Sequence, residues 1–283
     1  MHESYVATNG LQLCLLDHGG PGPTLLLLPG LTANRHTFDG LIAAGLNHHF
    51  HVLSVDMRGR GNSDKPENYA IAAHAADIVG LLDALGLERI VLGGHSFGGL
   101  MTMYLGALIP QRITKLVLID SAISLATERT RELIAPALAR LNTTYPSWDA
   151  YLTLMKQAPY FYGWPWDTLV ESYYRADVAT NADGTVQPHS RSEHIEACMR
   201  AVIAEPWQAI IAKVAHPVLL LHTPGAYGPP GAPPIVSEEQ AEEMADLLQD
   251  CRYVEVAGNH MTMLYNEGAE HIVRAIVGFA AEV

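Results

Sequence analysis

The chain has 283 residues, of which 49% are hydrophobic, enough for one large domain or for a core domain with an insertion. Its net charge of −13 argues against nucleic acids and anionic membrane surfaces as partners. The 3 cysteines follow no disulfide or metal-binding spacing, which favours reduced thiols. The first residues lack a secretory signal pattern and no stretch approaches membrane-spanning length, so we expect a cytoplasmic protein.

Short apolar runs bounded by turn residues predict strands that alternate with helices. Asn9-Gly10 separates two such runs and predicts an opening β-hairpin. The alternation is typical of right-handed βαβ units and a mostly parallel sheet. In chain order we predict strand 24–28, a helix to about 46, strand 50–55, helix 71–85, strand 90–92, a helix to about 109 and strand 116–119.

The alternation stops after Asp120 and resumes with strand 217–221, helix 237–248, strand 252–256 and helix 269–281. We therefore divide the chain into a core of residues 1–123 and 215–283, interrupted by a helical lid over residues 124–214. The lid holds all 4 tryptophans and should lie at the carboxyl end of the sheet, where open α/β sheets bind ligands. Its densest aromatic stretch is expected to supply pocket residues in addition to packing. These are Tyr160, Phe161, Trp164 and Trp166.

Gly94-His95-Ser96-Phe97-Gly98 follows the predicted strand 90–92 and opens a helical pattern. The spacing Gly-x-Ser-x-Gly predicts a nucleophile elbow, a sharp strand-to-helix turn in which glycines give the backbone room and the serine hydroxyl is exposed. An ordinary glycine-rich turn is the alternative, so the motif needs support from the rest of the chain. The side chain of His95 is expected to point away from Ser96.

A serine hydroxyl needs a base to take its proton, and a developing oxyanion needs two amide donors. His260 is the best base among the 14 histidines, because it follows the last predicted strand and should reach the sheet edge that carries Ser96. The amide of Phe97 is one predicted oxyanion donor. The amide of Leu31, after Pro29-Gly30, is the other.

The sequence resembles the α/β-hydrolase superfamily, in particular its lidded esterase and lactonase branch. The resemblance rests on four motifs and covers the chain outside the lid. It implies a mostly parallel eight-stranded sheet flanked by helices, a helical cap inserted after strand 6, and serine hydrolase chemistry. The motifs are Pro29-Gly30-Leu31-Thr32, the segment 56–64, Gly94–Gly99 and Gly258-Asn259-His260.

The resemblance also implies a triad acid after strand 217–221, but residues 222–236 contain no carboxylate. Glu238 and Glu239 come next, in the first turn of a helix, where acids are common because they suit the helix dipole. Some relatives carry the acid one strand earlier, and Asp120 occupies that place. We therefore favour Asp120 as the third triad residue and rank Glu238 second and Glu239 third.

The predicted reaction is hydrolysis of carboxylic esters of apolar or aromatic small molecules through an acyl-enzyme, without a metal or organic cofactor. Hydrolysis of lactones, carbamates or amides remains open, as do carbon–carbon bond hydrolysis, hydroxynitrile-lyase-like cleavage, perhydrolysis and a non-catalytic ligand receptor. The oligomeric state cannot be read from the sequence. An acidic substrate would require a basic partner in the lid, and the candidates are Lys156, Arg175, Arg191 and Arg200.

Overall fold

The computed structural model describes residues 1–282, which are built around one eight-stranded sheet. The strands of the molecule are β1 His2–Thr8, β2 Leu11–Gly19, β3 Thr24–Leu28, β4 His51–Val55, β5 Ile90–His95, β6 Ile113–Ile119, β7 Val178–Thr180, β8 Val186–Pro188, β9 Val218–His222 and β10 Cys251–Glu255. The order in the eight-stranded sheet is β1-β2-β4-β3-β5-β6-β9-β10. β1 and β2 pair antiparallel, as do β2 and β4, and every other neighbouring pair in this sheet is parallel. The predicted mostly parallel sheet is confirmed.

Helices cover both faces of the sheet, which is why Leu25 to Leu28 of β3 are fully buried. No helix in residues 1–282 combines the length and apolarity needed to cross a membrane. The helices are α1 Asp39–Ala43, α2 Ile71–Ala84, α3 Phe97–Leu108, α4 Glu128–Leu133, α5 Ala135–Leu138, α6 Trp148–Lys156, α7 Leu169–Asp177, α8 Ser192–Ala204, α9 Trp207–Ile211, α10 Glu238–Leu247 and α11 Asn266–Ala281.

The helix predicted up to residue 46 is shorter in the structure. Only α1 is α-helical there, and 3₁₀ turns flank it at Arg35–Phe38 and Leu46–His48. Gly45 interrupts the segment with φ of 93°, a left-handed conformation that no α-helix can continue through.

The chain between β6 and β9 forms α4 to α9 and a small antiparallel hairpin, β7-β8. This hairpin departs from the purely helical lid expected from the sequence. Its turn contains Asn181 and Gly184, and the positive φ of Gly184 is the conformation such a turn requires. Tyr145 adds a further bridge to Val186 and ties the preceding loop to the hairpin.

Candidate active site

Ser96 lies at a strained turn between β5 and α3. Its φ of 56° and ψ of −120° place it in a backbone region that side chains rarely adopt. A Cβ at Gly98 would lie 1.9 Å from the carbonyl oxygen of Leu28, and one at Gly94 would lie 2.1 Å from the oxygen of Gly98. The turn therefore requires glycine two residues before and two residues after the serine, as in a nucleophile elbow.

Leu31, Phe97 and Ser96 all belong to the wall of one cavity. The oxygen of Gly30 accepts a hydrogen bond from Ala33 N at 3.1 Å, and because the amide lies opposite the carbonyl in a trans peptide, Leu31 N–H points the other way. Within residues 1–282 neither Leu31 N nor Phe97 N has a hydrogen-bond acceptor. Both amides can serve an anionic oxygen.

His260 lies in the loop after β10 and lines the same cavity as Ser96. Its Nδ1 donates to Asp120 Oδ2 at 2.6 Å. Asp120 follows β6 with φ of 45°, and its Oδ1 accepts from the amide of Thr223 at 3.3 Å. The carboxylate is buried, so it holds the imidazole in the tautomer whose Nε2 can accept a proton.

The structure brings Ser96, His260 and Asp120 to one edge of the sheet, and it places the competing acids elsewhere. Glu238 and Glu239 are exposed in the first turn of α10. The loop after β9 contributes the backbone amide of Thr223 to Asp120 and no carboxylate of its own.

His95 contacts His260 directly, whereas the sequence predicted only that its side chain points away from Ser96. Its Nε2 donates to the carbonyl oxygen of His260 at 2.8 Å, and the two ring centroids lie 4.4 Å apart. Burial holds the pKa of His95 well below its ordinary value. His95 is therefore a neutral ring that supports the loop carrying His260.

The four aromatic residues predicted to line the pocket separate into two groups. Tyr160 is in the cavity wall, whereas Phe161, Trp164 and Trp166 are not among the lining residues. The ring of Phe161 stacks on Trp164 at 5.6 Å and meets Trp166 edge-on at 5.2 Å. These three aromatics pack against one another, which is the structural role that competed with pocket lining in the sequence.

Asn259, next to His260, is a functional candidate whose role the motif Gly258-Asn259-His260 did not reveal. Its Nδ2 donates to the carbonyl oxygens of Tyr160 at 2.9 Å and Ala226 at 3.1 Å. Its Oδ1 accepts from the amides of Met261 and Thr262. One side chain thus shapes the loop that carries His260 and ties it to the segment that carries Tyr160.

Arg140 is a second candidate, and no sequence pattern selects it. It is 3% exposed and lines the cavity. Its Nε and Nη2 donate to the carboxylate of Asp177 at 2.8 and 3.1 Å. Nη2 also donates to Thr32 O at 2.9 Å, and Nη1 donates to Ala137 O and, at 3.5 Å, to Thr32 Oγ1. All five N–H groups of the guanidinium are therefore engaged.

The basic residues proposed as partners for an acidic substrate lie outside the cavity wall. Lys156 forms an ion pair with Glu171 at 3.0 Å, and Arg175 lies over the ring of Trp148 at 5.0 Å. The residues concerned are Lys156, Arg175, Arg191 and Arg200.

A mostly parallel eight-stranded sheet with a nucleophile-elbow turn after its central strand β5 defines the α/β-hydrolase class of proteins. Residues 23–267 match the family model for the alpha/beta hydrolase fold, and the chain therefore belongs to that family. The resemblance inferred from the four motifs is confirmed.

Among curated proteins, N-formylmaleamate deformylase of Pseudomonas putida is 38% identical over 121 residues, which are 42% of this chain and 45% of the deformylase. This chain thus matches less than half the length of that relative. Two solved structures share the fold over 99% of the chain. E-2-(acetamidomethylene)succinate hydrolase, covered over 99% of its chain, has a TM-score of 0.81 at 23% identity. The enol-lactonase of Burkholderia xenovorans, covered over 100%, has a TM-score of 0.70 at 24% identity.

Proposed function

We propose that this chain is a serine hydrolase that cleaves carboxylic esters of apolar or aromatic small molecules through an acyl-enzyme. The observation that carries the proposal is the shared cavity of Ser96 and His260, with the imidazole held 2.6 Å from Asp120. The strained turn at Ser96 supports the assignment of the nucleophile, because such strain persists only where the surrounding structure enforces it.

In the proposed reaction, His260 Nε2 takes the hydroxyl proton as Ser96 Oγ attacks the ester carbonyl carbon. The carbonyl oxygen becomes an oxyanion, which accepts hydrogen bonds from the amides of Leu31 and Phe97. Asp120 stabilises the imidazolium that forms. His260 then gives the proton to the leaving alcohol, and a water activated by the same imidazole cleaves the acyl-enzyme.

The wall of the cavity supports an apolar, uncharged substrate. Arg140 is the guanidinium in the wall, and its charge and its donors are already matched by Asp177 and by backbone oxygens. An additional carboxylate would find no free donor on that guanidinium. Most of the remaining wall is apolar, either aliphatic or aromatic, and includes Leu100, Leu125, Ile134, Met199, Val202, Ile235 and Phe97.

We also propose that residues 124–214 act as a cap over the site, between core segments 1–123 and 215–283. The cavity wall contains residues from this segment, among them Ile134, Tyr160 and Met199, together with Leu31 and Leu264 of the core. A substrate enclosed between cap and core would be shielded from water, which strengthens every electrostatic contact in the site.

The test is turnover of p-nitrophenyl esters of increasing acyl length and of an aromatic acyl group, with matched lactone, carbamate and secondary-amide substrates. We expect ester turnover with a burst of nitrophenolate, and a loss of at least about 10³-fold in Ser96→Ala. Ser4→Ala, on the outer strand β1, is the serine control and should retain activity. Absence of ester turnover in the wild type, or full turnover in Ser96→Ala, contradicts the proposal.

A further inference from the structure

The loop of residues 30–33, which we call the oxyanion loop, is held by two buried arginines from distant parts of the chain. Arg60 Nε donates to the carbonyl oxygen of Leu31 at 2.9 Å. Arg140 Nη2 donates to the next carbonyl oxygen, that of Thr32, also at 2.9 Å. Two successive carbonyls of one short loop are thus fixed by charged donors, from the core and from the segment after β6.

The contact at Thr32 continues through the loop to the proposed oxyanion donor. Thr32 C=O shares a peptide unit with Ala33 N–H, which donates to Gly30 O at 3.1 Å. Gly30 C=O shares the next peptide unit with the N–H of Leu31, a residue of the cavity wall. The guanidinium of Arg140 is therefore linked to the Leu31 amide through two peptide units hydrogen-bonded in series. Such series polarise their members, so a positive charge at one end strengthens the donor at the other.

Arg140 belongs to the cap segment and is held there by Asp177. Asp177, at the end of α7, binds it through both carboxylate oxygens and accepts a further hydrogen bond from the hydroxyl of Tyr151 at 2.5 Å. Both charged side chains are almost fully buried, 3% exposed each. A buried ion pair is weak as a source of stability, because desolvation offsets the attraction between the charges. The Arg140–Asp177 ion pair, however, lies against the oxyanion loop, where Arg140 Nη2 donates to Thr32 O.

Arg60 supports the same loop from the other side. It is fully buried, and its guanidinium lies 5.5 Å from the ring centroid of Phe97, the second proposed donor. Its Nη1 donates to Arg58 O at 2.7 Å and contacts His74 Nε2 at 3.2 Å. The carbonyl of the peptide between Leu31 and Thr32 thus accepts from a guanidinium that is itself anchored in the core.

We propose that Arg140 is a positioning residue that orients and polarises the Leu31 amide through the oxyanion loop, with Arg60 as its counterpart in the core. Docking of the cap onto this loop then completes the oxyanion hole. The inference rests on the proposed serine hydrolase function, and it adds a requirement that the triad alone does not impose. A hydrolase whose oxyanion hole is independent of its cap would tolerate loss of Arg140.

The test compares wild type with Arg140→Met/Asp177→Asn, a double variant that leaves no unpaired charge, and with Arg140→Lys, which keeps a cation near Thr32. Ester kcat and KM are measured together with hydrogen exchange of the Ala33 amide by NMR. We expect the double variant to lose roughly 10- to 100-fold in kcat with little change in KM, because a displaced donor weakens transition-state binding. Exchange at Ala33 should accelerate, and Arg140→Lys should fall between the two on both measures.

Ser172→Ala is the matched control, since it removes a different contact between α7 and the core, the 2.5 Å hydrogen bond to Asp39. The inference is overturned if the double variant matches Ser172→Ala in kcat, or if kcat falls while the Ala33 amide stays as protected as in wild type. If the double variant does not fold, the same two comparisons are made with Arg140→Lys. Failure of the proposed function shows separately, as a wild type that turns over no ester.

Discussion

His260 Nδ1 lies 2.6 Å from Oδ2 of Asp120, an acid that follows β6 and not β9. The loop after β9 supplies the amide of Thr223 to the other carboxylate oxygen. The loop after β9, where the family resemblance implied a triad acid, thus orients the carboxylate of Asp120, which follows the neighbouring strand β6. β6 and β9 pair in parallel, so their carboxyl ends lie side by side and either can present an acid to the same imidazole.

We expect Asp120→Asn to lower kcat/KM for an activated ester by about three to four orders of magnitude, because the amide stabilises the wrong imidazole tautomer and cannot balance its charge. The matched variant Glu238→Gln, on the exposed first turn of α10, should retain wild-type kinetics. Steady-state kinetics of both variants decide the matter. A large loss in Glu238→Gln with an active Asp120→Asn would reverse the assignment.

Substitutions of Asn259 test how His260, the proposed base, is positioned. Asn259→Ala removes two donated and two accepted hydrogen bonds around the loop that carries His260, and we expect kcat to fall by about 10-fold with a smaller change in KM. Asn259→Asp keeps the acceptor for Met261 and Thr262 but loses the donation to Tyr160 and Ala226. An aspartate variant as impaired as the alanine variant would assign the effect to these two donated hydrogen bonds. Wild-type kinetics in both variants would show that Asn259 does not position His260.

The elbow can be tested through stability. Gly98→Ala places a methyl group 1.9 Å from Leu28 O, and we expect it to lower the free energy of unfolding by more than about 3 kcal/mol. Gly278, in α11, has no neighbouring atom within 4 Å of the place a methyl group would occupy, so Gly278→Ala should raise that free energy by about 0.5–1 kcal/mol. Urea unfolding of both variants measures the contrast. Equal effects would mean that the turn tolerates a side chain.

Stability should also depend on pH through His18. Burial lowers the pKa of His18 from 6.5 to about 4. Between pH 6.5 and pH 4, His18 is therefore protonated in the unfolded chain but neutral in the folded chain. Since the unfolded chain binds the additional proton, the free energy of unfolding decreases as the pH falls from about 6.5 towards 4. Between pH 7 and pH 5 this group should lower the free energy of unfolding by about 2 kcal/mol.

The measurement is urea unfolding of wild type and His18→Gln at both pH values, with the exposed His49→Gln as control. His18→Gln should reduce the loss of stability between pH 7 and pH 5 by about 2 kcal/mol, while His49→Gln should leave it as in wild type. An unchanged pH dependence in His18→Gln would assign the acid sensitivity to other groups.

The sequence was sufficient for the sheet, because buried parallel strands are short apolar runs with sharp ends. The motif around Ser96 also made its geometry predictable, since only glycine fits at Gly94 and Gly98. Arg140 could not be predicted, because its contacts with Thr32 and Asp177 join residues 108 and 37 positions apart. No local pattern records such a pairing.

The aromatic stretch after Pro159 is a second case in which the sequence did not predict which residues line the cavity. Composition indicated that Tyr160 and Trp164 belong to a cap, but which ring faces the cavity depends on how neighbouring rings stack. Tyr160 packs against Tyr227 with ring centroids 5.1 Å apart and lines the cavity, whereas Trp164 stacks on Phe161. Periodicity assigns residues to a face only within a regular element, and these residues lie in a 3₁₀ turn and a loop.

The hydrogen bond between His260 and Asp120 joins residues 140 positions apart. A growing chain therefore contains Ser96 and Asp120, the proposed nucleophile and acid that directly follow the adjacent strands β5 and β6, long before it contains His260, the proposed base. Such a chain has strands β1 to β6 of the sheet and still lacks the proposed base. If the proposed chemistry holds, the return of activity during refolding reports the docking of β10 beside β9, the last step of sheet assembly in chain order.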